Sequence, residues 1–251
     1  DLAQMCFARH ATSKVEKAED LFHLSTKGFR GEALASISAI SHVSLKTKVA
    51  SKELGNLIQI EGSKVTKKDV ITCPTGSSFE IKNLFFNVPA RRNFLKSDNV
   101  EFRHILDEFE RIALAHPEIN FSITHNDTVI YKLQEAILKK RIVEVLGPKS
   151  KERLVPIDEE TDIVSVKGFV GKPEFSKKKR GEQFLFVNNR FFKDSFFNHA
   201  ITKAFEGLLP QKTFPTYFLY LEVDPEKIDV NVHPTKTEIK FEEDKLIFND
   251  F

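Results

Sequence analysis

The stretch Thr26-Lys27-Gly28-Phe29-Arg30-Gly31-Glu32-Ala33-Leu34-Ala35-Ser36-Ile37 decides how this chain is read. Two glycines bracket Phe29-Arg30, and an apolar stripe follows at once. Leu34, Ile37 and Ile40 recur at a spacing of three, widened by Ala33. That spacing predicts an amphipathic helix ending near Ser41. Gly28 and Gly31 allow a tight turn and a close backbone approach. A glycine-rich loop feeding a helix start leaves backbone N–H groups pointing outward, which suits a phosphate. Arg30 adds a fixed positive charge beside it. Spacing alone fits two readings equally: an ordinary loop-to-helix joint and a phosphate-binding loop.

The 251 residues leave room for one large domain or two ordinary ones. A hydrophobic share of 41% and a charged share of 29% are those of a soluble globular protein with a real core. Twenty-four Phe and no Trp make that core Phe-rich. The net charge of +2 does not demand nucleic acid, so any basic surface must come from local clustering. Cys6 and Cys73 lack metal-ligand spacing and need no disulfide, which fits a reduced, cytoplasmic setting. The eight His include no H-x-x-x-H pair, and no metal site is expected. No apolar run approaches ~18 residues, so no membrane partner is expected. No signal peptide opens the chain. It begins at Asp1 without an initiator Met and reads as a piece of a longer protein.

Outward from the glycine loop, residues 1–14 read as a helix end running into a polar loop. There His10 and Lys14 suit either solvent or a phosphate. Val43 to Lys48 and Leu57 to Ile60 alternate as half-buried strands. Lys64, Lys67 and Lys68 are expected on a hairpin tip, with Val70-Ile71-Thr72 a short strand after it. Gly76-Ser77 precedes a strand through Ile81, and Pro89 opens a helix bearing Arg91 and Arg92. Residues 98–115 form the clearest helix, with Asp98 as its N-cap. Phe121–Thr124 and Val129–Leu133 flank a two-residue turn at Asn126-Asp127. Residues 135–150 look like a joint between domains, with Lys139-Lys140-Arg141 leading a helix that Gly147-Pro148 stops. Beyond it come a strand at 163–170, a basic loop at Lys177-Lys178-Lys179-Arg180, and a buried strand Phe184-Leu185-Phe186-Val187. Asn188-Asn189-Arg190 follows, then a helix from Phe196 to Leu209 and strands at 217–223, 228–236 and 238–241.

Four strings carry a more specific message: Arg9-His10-Ala11-Thr12-Ser13-Lys14, Gly28–Ile37, Asn83–Leu95, and Val230-Asn231-Val232-His233-Pro234-Thr235-Lys236. In order and in register from Arg9 to Phe241, they resemble the N-terminal ATPase region of the MutL DNA mismatch repair family, part of the GHKL group. The resemblance implies an α/β (α+β) fold of two domains. Residues 1–134 would be the later part of a GHKL (Bergerat-type) α/β sandwich that binds ATP. Residues 135–251 would be a transducer domain resembling domain 2 of ribosomal protein S5. It also implies nucleotide-binding roles for Thr12, Ser13, Lys14, Gly28, Phe29, Arg30 and Gly31 at the phosphates, and for Ser77 beside the adenine. Lys236 would reach across from the second domain to the terminal phosphate as the catalytic sensor. Its compact charge on a long stem suits one phosphoryl oxygen.

The family's earlier motifs are absent here: the general-base Glu, the Asn that holds Mg2+, and an Asp-x-Gly-x-Gly turn. The resemblance places them ahead of Asp1, in roughly 60 residues or about half a domain. Phosphoryl transfer needs a positioned water, a metal and charge stabilisation. The expectation is therefore a parent that hydrolyses ATP and a chain that supplies only the last of these. DNA contacts are expected at Arg190, which matches a DNA-contacting family position, and at Lys177, Lys178, Lys179 and Arg180. Lys139, Lys140 and Arg141 are further candidates. Implied partners are DNA, a MutS-type mismatch sensor, downstream nuclease or helicase proteins, and a second copy on ATP binding, in a bacterial cytoplasm. The rival expectation is a non-enzymatic nucleic-acid-binding module with an S5-like domain, using the basic loops alone.

Overall fold

Alternation of Val43, Leu45 and Thr47 with polar residues produces β1 (His42–Lys48), a central strand of a four-stranded antiparallel sheet. The computed structural model describes residues 2–14, 27–28, 30–162, 164–229 and 239–241. They form two units, Asp1–Glu101 and Phe102–Phe251, so the expected 134/135 boundary lies inside the second.

The first unit comprises α1 (Leu2–Met5), α2 (Ala33–Ala39), β1, β2 (Gly55–Glu61), β3 (Lys64–Ile71), β4 (Gly76–Lys82) and α3 (Pro89–Asn93). Its sheet runs β3-β2-β1-β4. Val43 lies opposite Ile60 and Ile81, and Leu45 opposite Ile58 and Phe79. Directly opposed residues share a face. Val43, Leu45, Ile58 and Ile60 are at most 2% exposed, whereas Phe79 and Ile81 on edge strand β4 are 42% and 47% exposed.

Helix α2 packs on β1 and β2 and buries Ala35 and Ser38, one position round from the predicted Leu34–Ile37 stripe. Its last carbonyls are satisfied from outside the helix. Ser63 N donates to Ser38 O (3.0 Å), Asn87 Nδ2 to Ala39 O (2.9 Å) and Phe85 N to Ile40 O (2.7 Å). The expected lysine-bearing turn is instead strand β3. The turn is Gly62-Ser63, with φ of 53° and 69°, a two-residue hairpin loop. Lysines on an exposed edge strand discourage edge-to-edge pairing.

The second unit follows from helix α4 (Asp98–Ala115), whose first residues belong to the first unit. Next come β5 (Phe121–His125), β6 (Thr128–Leu133), α5 (Leu138–Leu146), β7 (Leu154–Glu160), β8 (Ser165–Gly171), β9 (Gln183–Val187) and β10 (Arg190–Phe192). Then follow α6 (Ser195–Ala204), β11 (Tyr217–Glu222), β12 (Ile228–Asp229) and β13 (Lys240–Phe241). A five-stranded sheet has the order β10-β9-β11-β8-β7. Strands β9 and β11 are parallel, and α6 lies in the crossover such a pair requires.

The unbroken apolar run of β9 has a simple cause: both faces of the sheet are covered. Leu185 and Val187 pack with Phe197 and Ile201 of α6, while Phe184 and Phe186 pack with Ala113, Leu114, Ile142 and Val145 of α4 and α5. Phe218 and Tyr220 of β11 stack on Phe184 and Phe186, with centroids 5.2 and 4.6 Å apart. At Gly168 (φ 146°) a Cβ would fall 1.9 Å from Phe218 O, so the sheet closes here only over glycine.

Two expectations are corrected and one strand is added. Asp98 is the first helical residue; Ser97 O accepts from Val100 N and Glu101 N. Helix α6 ends at Ala204 rather than Leu209. Strand β7, acidic and carrying Pro156, was not expected; it is a sheet edge, where both features are tolerated.

Candidate functional site

The two strings singled out near the start of the chain meet. Gly31 has φ +66°, and a Cβ built there would sit 2.3 Å from Ala11 O. Only glycine permits this contact between loops 9–14 and 27–32. Beside it, Glu32 reaches His10 on the first loop and Arg30 on its own. Its Oε1 lies 3.4 Å from His10 Nδ1 and its Oε2 3.3 Å from Arg30 Nε. Glu32 stands at the N-cap of α2 but makes no capping bond. Thr12 Oγ1 accepts from Lys14 N at 3.1 Å, which folds 12–14 into a small turn. Thr12 is half-buried, while Ser13, Lys14, Gly28 and Arg30 are exposed. Ser77 lies on β4, also exposed, with its hydroxyl 2.8 Å from Thr47 Oγ1. Phe29 and Lys236 lie outside the described residues.

Exposed cations and hydroxyls on two loops fastened by a glycine contact fit the phosphates of a nucleotide. They do not fit its metal. Among the described residues no group of three or more His, Cys, Asp or Glu could hold a metal ion. The carboxylate at these loops, Glu32, is engaged with His10 and Arg30.

The expected DNA-contacting residues lie in the second unit. A cleft of about 1100 Å³ is lined by Arg180 together with Arg111, Lys193, Phe191 and acidic Asp107 and Glu110. The Arg180 guanidinium lies 4.8 Å from the centre of the Phe214 ring, and Arg111 lies 4.5 Å from that of Phe191. Lys177 pairs with Glu182, and Lys178 and Lys179 are exposed. Arg190 opens β10 half-buried, and burial holds its guanidinium below the usual value. It follows Asn188-Asn189 at φ 46° and 61°, the turn of the β9–β10 hairpin. Asn tolerates this left-handed conformation in place of Gly. Asn188 is also fastened by its side chain to Val223 N and O, at 3.1 and 2.8 Å.

Lys139 lies 5.8 Å from the Phe169 ring centre, and Lys140 lies 3.7 Å from Glu144. Arg141 is not a surface charge at all. It is 0% exposed and donates to the carbonyls of Ala113 (2.6 Å), His116 (3.1 Å), Pro117 (3.0 Å), Ile119 (2.8 Å) and Gln134 (2.8 Å). Arg111 and Lys193 were missed as cleft residues. Arg111 sits on a helix read only for its apolar face, and its partner Phe191 is eighty residues away.

The family model described as DNA mismatch repair protein, C-terminal domain, matches residues 142–251. The chain is 58% identical over 246 residues to the DNA mismatch repair protein MutL of Christiangramia forsetii, covering 98% of this chain and 40% of that protein. It thus spans about two fifths of the length of the curated relatives it matches. Among solved structures, the N-terminal domain of a DNA repair protein superposes with a TM-score of 0.79 at 26% identity, covering 99% of this chain and 78% of that one. The Aquifex aeolicus MutL ATPase domain complexed with ADP gives 0.64 at 25% identity, with 84% and 77% covered. The fold is accordingly the later part of a GHKL sandwich followed by an S5-like domain. With relatives this similar in register along nearly its whole length, the chain belongs to the MutL family of DNA mismatch repair proteins.

Proposed function

We propose that this chain holds the phosphates of ATP with its residues 1–134 and contacts DNA with its residues 135–251, as part of an ATP-dependent mismatch-repair clamp. The observation that carries the nucleotide half is the Gly31–Ala11 contact, which sets Arg30 beside the 9–14 loop. Thr12, Ser13, Lys14, Gly28, Phe29, Arg30 and Gly31 are assigned to the phosphates and Ser77 to the adenine side. Lys236 is assigned to the terminal phosphate, as the element that reports nucleotide to the second domain. ADP bound by the Aquifex aeolicus relative supports a nucleotide here. Hydrolysis also requires a metal and a base for the water. The described residues supply neither, so the part assigned to them is phosphate holding and charge stabilisation.

On the same reading Arg190, Lys177, Lys178, Lys179 and Arg180 contact the DNA backbone, giving sequence-independent, salt-sensitive affinity. The clamp closes by pairing of two copies on ATP and passes the signal from a MutS-type mismatch sensor to a downstream nuclease or helicase. It works in the bacterial cytoplasm. Equilibrium dialysis of the intact protein against ATP tests the nucleotide half. Arg30→Gln is expected to weaken binding about tenfold, the scale of one charge-assisted phosphate contact. A protein that binds no ATP overturns the reading.

A further inference from the structure

We infer that Glu32 is a positioning residue for the phosphate site: its carboxylate holds Arg30 and ties the glycine loop to the 9–14 loop without touching nucleotide. The inference rests on the nucleotide reading above and adds a residue to it.

Two contacts join the two loops, and a third holds Arg30 within the glycine loop. One is the Gly31–Ala11 backbone packing, with room for no Cβ. The others are the two ends of a single carboxylate, Oε1 toward His10 and Oε2 toward Arg30. Glu32 stands where a helix cap would stand, yet its side chain makes no cap bond and turns back over the loop instead. A carboxylate among cations that face a polyphosphate is repelled by that ligand, so it cannot itself be a contact. What it can do is fix the guanidinium from the Nε side. A planar fork held at one edge presents its remaining N–H groups in a defined direction.

Burial divides the tasks in the same way. The side chains of His10 and Arg30 are 71% and 69% exposed, while that of Glu32 is 35% exposed. His10 and Arg30 stand outward and the carboxylate behind them. Ion pairs this exposed contribute little to fold stability. Removing the carboxylate should therefore leave the fold intact while loosening the aim of Arg30, and that difference makes the role testable.

The test is a double-mutant cycle in affinity for ATP, with Mg2+ present, measured by equilibrium dialysis on the intact protein. Wild type, Glu32→Gln, Arg30→Gln and the double variant are compared, with thermal unfolding as the fold control. Glu32→Gln is expected to weaken ATP binding three- to tenfold with an unchanged unfolding midpoint. In the Arg30→Gln background the same change is expected to do nothing further, because the residue through which it acts is gone. Tighter binding by Glu32→Gln would make the carboxylate a competitor of the phosphates and overturn the inference. So would a full effect that persists without Arg30. Wild-type binding that depends on Arg30 but not on Glu32 ends this inference and leaves the nucleotide reading standing. Absence of any ATP binding by wild type ends both.

Discussion

Arg141 shows how far one residue can differ from its neighbours in a charge run. Lys139 and Lys140 are held near the surface, while Arg141 enters the core with Ile142 and Val145 and closes five carbonyls around the end of α4 and the Gln134 bend. His116 O and Pro117 O also accept from Ile119 N and Ala136 N, but all five carbonyls lose a charge-assisted donor without the guanidinium. Arg141→Met should therefore destabilise the second unit by about 3–5 kcal/mol, read from urea unfolding. Arg141→Lys should recover little, since one ammonium cannot span what a five-donor fork spans. Glu110 gives a second prediction at this scale. Desolvation raises its pKa above the ordinary carboxylate value, against the hydrogen bond donated by Tyr131 OH at 3.0 Å, and burial beside Glu110 pushes Tyr131 up to about 12. A carboxyl whose pKa is higher folded than unfolded binds more protons in the native state. Stability must then fall as pH rises from the ordinary carboxylate value through the raised one. Glu110→Gln keeps an acceptor for Tyr131 and should flatten that slope, as read from unfolding midpoints between pH 4 and 7.

At the scale of elements, caps and turns set the boundaries. Asp194 accepts from Phe196 N at 2.7 Å and Phe197 N at 2.9 Å, and so decides where α6 begins. Asp194→Ala should cost about 1 kcal/mol, within a range of roughly 0.5–2, in global unfolding. Long, strongly periodic elements were legible: α4 over Asp98–Ala115, β1, β9 and the Asn126-Asp127 hairpin all fall where the pattern puts them. Edge strands β3 and β7 were not, for the same physical reason in both. A strand with one solvated edge and little burial has no need of alternation, so Lys64–Lys68 read as a hairpin tip with a strand only at Val70–Thr72, and Leu154–Glu160 carried no strand signal. The phase of α2 was also one position off, because close packing on the sheet selected Ala35 and Ser38 over the larger Leu34 and Ile37.

For the molecule as a whole, the prediction that matters concerns charge. If Arg190 and the 177–180 loop contact phosphates, Arg190→Glu should weaken DNA binding at low salt. It should also reduce the dependence of log affinity on log salt by about one unit. Unchanged affinity and slope in a titration from low to moderate salt would remove Arg190 from the interface. The amino-acid sequence by itself determined most elements, because periodicity and turn chemistry are short-range properties of the chain; the sandwich and its S5-like partner were legible only through the resemblance of four strings to a known family. Only the tertiary structure decided which loops meet at Gly31 and Ala11, which arginine is buried at Arg141, and which carboxylate faces His10 and Arg30 at once. Those outcomes depend on contacts between residues far apart along the chain, and nothing local to any one residue encodes its partner.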